Sequence, residues 1–218
     1  NPTGTSIAPA AIKAIVNVAK QRSGFVMMDE IYLGLSYQHE RQSALALDDN
    51  LIILNSFSKY FHMTGWRLGW LIVPPELVAP IEKLAASLMI CPPTLAQYGA
   101  LACFEPQTLD LFEHRREAFK TRRDFLVPAL TSMGFDVPAK PDGAFYVYAD
   151  ISRFSNDSNH FVDTVLNQAH VALVPGIDFG PGLAQTKVRL AYTVGLDRLE
   201  QAVERLDHLL KDDQTHRG

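Results

Sequence analysis

The sequence predicts an α/β fold: a mostly parallel sheet with helices on both faces, followed by a small α+β domain. Three observations carry this expectation. Continuous apolar runs, "FVMM" at 25–28, "LIILNSF" at 51–57 and "RLGWLIV" at 67–73, alternate with helical segments, as in parallel strands buried on both faces. Phe112, Phe119, Leu126 and Met133 recur every seven positions, reinforced by Leu130, and mark a long helix over 109–133. After Gly134 the pattern changes to short strands around one helix. The division is therefore 1–108, a bridging helix at 109–133, and a small domain at 134–218.

Each element has a local reason. Ser6 can cap a helix whose apolar positions are Ile12, Ile15, Val16 and Ala19, and Gly24 stands where a C-terminal glycine belongs. "FVMM" reads as a short buried strand with the acidic "DE" at its mouth. "LIILNSF" ends at hydroxyls and Lys59, and "RLGWLIV" stops at the double proline 74–75, since proline cannot donate to a ladder. Pro128 removes one donor from the long helix and is expected to kink or break it. "AFYVYADI", "VALVPG" and "KVRLAY" are the later strands, with a helix near 158–169. Asp197 and Glu200 form a box-like cap for a last helix striped by Leu199, Val203, Leu206 and Leu210.

Composition removes several classes of partner. The 218 residues are 47% hydrophobic and carry a net charge of −4 with no basic run, which argues against nucleic acid and anionic membranes. No apolar stretch approaches the roughly 20 residues of a bilayer span. Cys91 and Cys103 are too far apart for a redox or zinc pair and read as reduced packing residues, so a cytoplasmic location is expected. The chain opens on "NPTGTS" without methionine and looks like the tail of something longer.

The chemistry gathers around "LNSFSKYFHMTGWRLGW", residues 54–70. In sheets of this kind ligands sit beyond the carboxyl ends of the strands, where Asp29, Tyr32, Ser56, Ser58 and Lys59 fall. Desolvation makes a lysine amine a usable nucleophile, which is how imine-forming lysines arise. Ser56 and Ser58, at alternate positions, can offer hydroxyls to a phosphate, and Arg67 can return a guanidinium fork to it. Asp29 can pair with a protonated ring nitrogen. Tyr32 and Asn1 can reach a ring oxygen. Singly, each has a structural reading: a solvated serine-rich turn, a cap, an edge aromatic, a simple turn. His62 has no partner at metal spacing and reads as a packing or surface residue, and no metal site is expected.

Together, "NPTG", "DEIY", "SFSKYFHMTGWRLGW", "PDGAFYVYADIS", "VPGIDFGPG" and "VRLAY" stand in an order that resembles the fold-type I pyridoxal phosphate enzymes, specifically the class I and II aminotransferases. The likeness covers nearly the whole chain. It implies that Lys59 carries pyridoxal 5′-phosphate covalently and shuttles the substrate's α-proton. It implies that Asp29 faces the pyridine nitrogen, that Tyr32 and Asn1 face the phenolic oxygen, and that Ser56, Ser58 and Arg67 hold the phosphate. Arg189 in "VRLAY" then grips the substrate's α-carboxylate, while Phe179 and Gly143 read as structural. Residues 1–108 become the C-terminal part of the cofactor-binding large domain.

The resemblance also implies amino acid and 2-oxo acid substrates and a homodimer when intact. A complete member has further chain before "NPTG", with the glycine-containing phosphate loop and the aromatic that stacks on the ring. The chain alone is therefore expected to be inactive. Two alternatives stay open: a lyase or synthase using the same cofactor, and the aminotransferase-like domain of a transcription regulator.

Overall fold

The structure is a computed structural model and describes residues 1–38 and 40–217. The chain divides into two compact units, Ser6–Arg116, and Asn1–Thr5 together with the chain from Glu117 onward. The boundary falls inside the long helix, and the first five residues group with the later part of the chain.

Residues 6–116 hold a three-stranded sheet in the order β1-β2-β3, built from β1 (Met27–Asp29), β2 (Ile52–Ser56) and β3 (Gly69–Ile72). The first pairing is parallel, Met28 opposite Ile53, but β2 and β3 run antiparallel with Ser56 opposite Gly69. The expectation of a parallel third strand is thus corrected. A parallel return usually runs through an α-helical crossover, and the 57–68 connection contains only the 3₁₀ turn Thr64–Trp66. Leu51, Ile52 and Ile53 are buried, whereas β1 is an edge strand with Met27 61% exposed.

Helix α1 (Pro9–Gln21) follows Ala8 at its N-cap, so Ser6 is not the cap. Proline fits there because the first turn has no carbonyl for its missing N–H. At the other end, Ser23 takes the left-handed conformation at φ 52, one residue before Gly24. The Gly24 and Ser23 N–H groups close the helix on the Ala19 and Lys20 carbonyls. α2 (Pro75–Leu88) starts at the second of the two prolines and buries none of its side chains, and α3 (Thr94–Leu101) buries Ala96 and Ala100. Cys103 is buried against Met63, but Cys91 is exposed and so is not a packing residue.

α4 (Pro106–Met133) remains helical through Pro128, which corrects the expected break. Its Phe112 joins Phe57, Met63, Ala100 and Cys103 in one core cluster of residues 6–116. From Glu117 onward, Phe119, Leu126 and Leu130 of the same helix are buried. There, β4 (Tyr146–Asp150), β5 (Val174–Pro175) and β6 (Lys187–Ala191) form an antiparallel sheet ordered β4-β6-β5. α5 (Ser158–Thr164) is capped by Asp157, whose carboxylate accepts from the Asn159 and His160 N–H groups, and runs on as a π-helical turn, Val165–Ala169. α6 (Leu196–Arg217) buries Leu199, Leu206 and Leu210. Asp197 lies in its first turn, favourable for the helix dipole, instead of capping it as expected.

Candidate active site

Within residues 6–116 the strand ends bring the predicted groups close together. Asp29 closes β1, and its Oδ1 accepts from the Ile31 N–H at 3.1 Å, an Asx-type turn that fixes the carboxylate's direction. The chain then turns through Tyr32 into the 3₁₀ segment Leu33–Leu35. β1 and β2 are parallel neighbours, so both carboxyl ends open on the same side, and Lys59 follows Ser56 by three residues. The Lys59 Nζ lies 5.6 Å from the centre of the Tyr32 ring, a cation–π distance.

The two serines converge as the alternate spacing required. Ser56 Oγ donates to the Leu68 carbonyl at 3.1 Å and accepts from the Ser58 N–H at 3.0 Å; the two hydroxyl oxygens are 2.9 Å apart. Ser56 has one proton for two acceptors, the Leu68 carbonyl and the Ser58 hydroxyl, so the two hydroxyls form one coupled pair. Thr64 donates to the Ser58 carbonyl, and Arg67 Nη1 donates to the Thr64 carbonyl at 2.9 Å. Arg67 is exposed and left-handed at φ 53, so its placement comes from this chain of bonds. A Cβ on Gly69 would sit 2.8 Å from the Asn55 carbonyl oxygen, so β3 approaches β2 this closely only because that residue is glycine.

Asn1 and Arg189 belong to the other unit, where Arg189 Nη1 donates to Asn1 Oδ1 at 2.9 Å. Arg189 lies on β6, the central strand, not at a sheet edge. Its guanidinium is sandwiched 4.7 Å from the Phe179 ring and 5.1 Å from the Tyr146 ring, and its Nε is buried without a hydrogen-bond partner. A buried unpaired donor on a cation is costly, and a carboxylate is the group that would satisfy it.

The "NPTG" turn is pinned from its own side. The Gly4 carbonyl accepts from the Asp142 N–H at 3.0 Å and the Gly143 N–H at 3.2 Å, and buried Arg123 donates to the Pro141 carbonyl at 2.7 Å. Gly4 is left-handed at φ 71, and a Cβ there would lie 2.9 Å from Pro141 Cβ. In "PDGAFY" the left-handed residue is Ala144, so Gly143 contributes its N–H rather than its conformational freedom. Phe179 and Tyr146 were not tied to Arg189 by sequence. The available signal was an aromatic in a glycine-rich loop and another in a strand, both common in cores.

The sequence profile of the family described as "Aminotransferase class I and II" matches residues 1–206. The valine–pyruvate aminotransferase of Mycobacterium tuberculosis is 38% identical over 208 residues, 94% of this chain and 54% of that protein. The probable N-acetyl-LL-diaminopimelate aminotransferase of Bacillus subtilis is 36% identical, over 95% of this chain and 52% of that protein. A crystal structure of an aminotransferase from Mycobacterium tuberculosis superposes with a TM-score of 0.93 at 38% identity, covering 97% of this chain and 55% of that one. The aromatic aminotransferase from Pyrococcus horikoshii OT3 gives 0.90 at 32% identity, covering 98% and 58%. The chain spans about half the length of the curated relatives it matches. It belongs to the class I and II aminotransferase family, on the strength of the profile match over residues 1–206 and these relatives.

Proposed function

We propose that this chain carries the cofactor lysine of a pyridoxal-phosphate-dependent aminotransferase that exchanges an amino group between an amino acid and a 2-oxo acid. The observation that carries the reading is the placement of the Lys59 amine beside the Tyr32 ring, directly after the hydrogen-bonded hydroxyl pair of Ser56 and Ser58. The donor set suits a phosphorylated pyridine. Ser58 and Arg67 supply neutral and cationic donors for the phosphate, and the oriented Asp29 carboxylate suits a protonated ring nitrogen. When bound, pyridoxal phosphate supplies an electron sink for the pair left on the substrate's α-carbon.

In this reading Lys59 Nζ binds the cofactor covalently and carries the proton removed from the α-carbon. Asp29 keeps the ring nitrogen protonated, Tyr32 and Asn1 serve the phenolic oxygen, and Ser56 orders Ser58. Arg189 takes the α-carboxylate on its unpartnered Nε edge, its other arm being held by Asn1. Residues 1–108 then belong to the large domain, 109–133 to the bridging helix and 134–218 to the small domain, of a cytoplasmic homodimer. The relatives named above are all aminotransferases, which favours amino transfer over a lyase reaction.

The test uses the full-length protein with pyridoxal phosphate. Borohydride reduction should abolish its visible absorption and leave the label on the peptide containing Lys59, and Lys59→Ala should lose turnover with a panel of amino donors and 2-oxo acids. Label on another peptide, or turnover by Lys59→Ala, refutes the assignment. Residues 1–218 assayed alone are expected to show no turnover.

A further inference from the structure

Tyr60, the residue after Lys59, donates its phenol proton to Glu113 Oε1 on α4 at 2.5 Å. The same oxygen receives Arg41 Nη1, which also lies 3.4 Å from the Gly34 carbonyl oxygen, with the Arg41 guanidinium 5.9 Å from the Tyr60 ring centre. The other carboxylate oxygen accepts from Arg116 Nε at 3.0 Å, and Arg116 Nη1 donates to the Ser36 carbonyl at 3.2 Å. One side chain on α4 therefore ties down two loops at once: the one that begins at Lys59 and the one that follows Tyr32. These are the loops whose approach sets the 5.6 Å separation of Lys59 Nζ from the Tyr32 ring.

The packing between the loops leaves little slack. A Cβ on Gly34 would fall 2.6 Å from Tyr60 Cγ and 2.8 Å from Tyr60 Cβ, so the backbone after Tyr32 rests directly on the Tyr60 ring. Burial would raise the Glu113 carboxyl, but hydrogen bonds from Arg41, Tyr60 and Arg116 outweigh it and hold the group at about 2. Burial, followed by the Glu113 bond, pushes the Tyr60 phenol up, so it stays protonated and remains the donor. An ordinary surface ion pair contributes little to stability and positions nothing. Glu113 differs in that all its partners belong to, or hold, the two loops that carry Tyr32 and Lys59.

We infer that Glu113 is a positioning residue for Lys59, acting through Tyr60 and through the Arg41 and Arg116 contacts to the loop after Tyr32. The inference rests on the reading of Lys59 as the cofactor lysine. Displacing a reacting group by about 1 Å can cost on the order of 100-fold in rate. Loss of one tether among several should cost less.

The experiment compares full-length parent protein with Tyr60→Phe, which deletes one hydroxyl, and Glu113→Gln, which keeps the shape and removes the charge. Glu117→Gln, an exposed acid one turn further along α4 and 3.9 Å from Lys120, is the control. Each apoprotein is mixed with pyridoxal phosphate. The readouts are the rate at which the borohydride-sensitive band appears, the midpoint of that band's pH titration, and the melting temperature of the apoprotein. Both variants should capture cofactor about 3- to 30-fold more slowly and move the titration midpoint by about half a pH unit or more, and the control should do neither. If Tyr60→Phe and Glu113→Gln match the parent in capture rate and midpoint, and differ only in melting temperature, Glu113 is structural and the inference fails. Should the parent itself carry the label away from Lys59, the underlying reading falls first and takes the inference with it. That outcome is recognised before any variant is compared.

Discussion

Residues 6–116 and the unit from Glu117 onward handle apolar surface in opposite ways. In the later unit the antiparallel sheet has Val147, Ala149 and Val188 at 0% exposed, and Leu130, Phe161, Val165, Tyr192 and Leu206 are buried as well. In the earlier unit the chemistry-bearing strand ends are well formed, yet Phe25, Met27, Leu71, Leu84, Leu88, Ile90 and Tyr98 stand in solvent. Large apolar side chains left exposed in this number suit a surface that further chain or a second subunit covers. The lesson is that a site's local geometry and a unit's core are separable: short hydrogen-bonded turns place Asp29, Ser58 and Lys59 even where the sheet behind them is half open.

The comparison is sharpened most by truncating leucines. In residues 1–218, Leu130→Ala should cost about 2–5 kcal/mol, because the side chain is fully buried and leaves a cavity. Leu88→Ala, with 79% of the residue exposed, should cost less than about 0.5 kcal/mol. Denaturant unfolding of the two variants measures both. Repeating Leu88→Ala in the full-length protein could break the contrast: a cost approaching that of Leu130→Ala would show that the rest of the chain, or a second subunit, covers that face.

A second effect probes the later unit by pH. Burial raises the Asp150 carboxyl, but the bonds from Lys187 and Ser152 outweigh it and leave the group at about 2, against an ordinary 3.8. Its folded value is depressed, so its contribution is complete above about 3.8 and is lost as pH falls toward 2. Asp150→Asn should lower stability by about 2 kcal/mol at neutral pH and flatten the decline between pH 4 and 2. Melting temperature against pH checks it. A parallel decline in parent and variant would show that the Lys187 pair contributes nothing to the later unit.

The smallest effect is at the end of α1. Ser23 is exposed and left-handed at φ 52, a conformation that glycine adopts without steric cost. Ser23→Gly should stabilise residues 6–116 by about 0.5–1 kcal/mol, read as a shift in denaturant midpoint at constant slope. No gain would mean that entropy lost from the more flexible unfolded chain cancels the relief of strain.

Sequence by itself determined what is local. The apolar runs located β1, β2 and β3, the seven-residue stripe located α4, and the alternate serines placed Ser56 and Ser58 together, because strand and helix periodicities are properties of consecutive residues. The order of the motifs pointed to the family. What required the tertiary structure is non-local. The antiparallel direction of β3 follows from a 57–68 connection that folds without an α-helix, and the exposure of β1 from its place at the sheet edge. Arg189 and Asn1 are 188 positions apart, and Tyr60 and Glu113 are 53 apart. Neither spacing has a periodicity to betray it. A hydrogen bond between distant residues depends on how the backbone returns, and that is decided by the packing of the whole unit, which no short window of sequence contains.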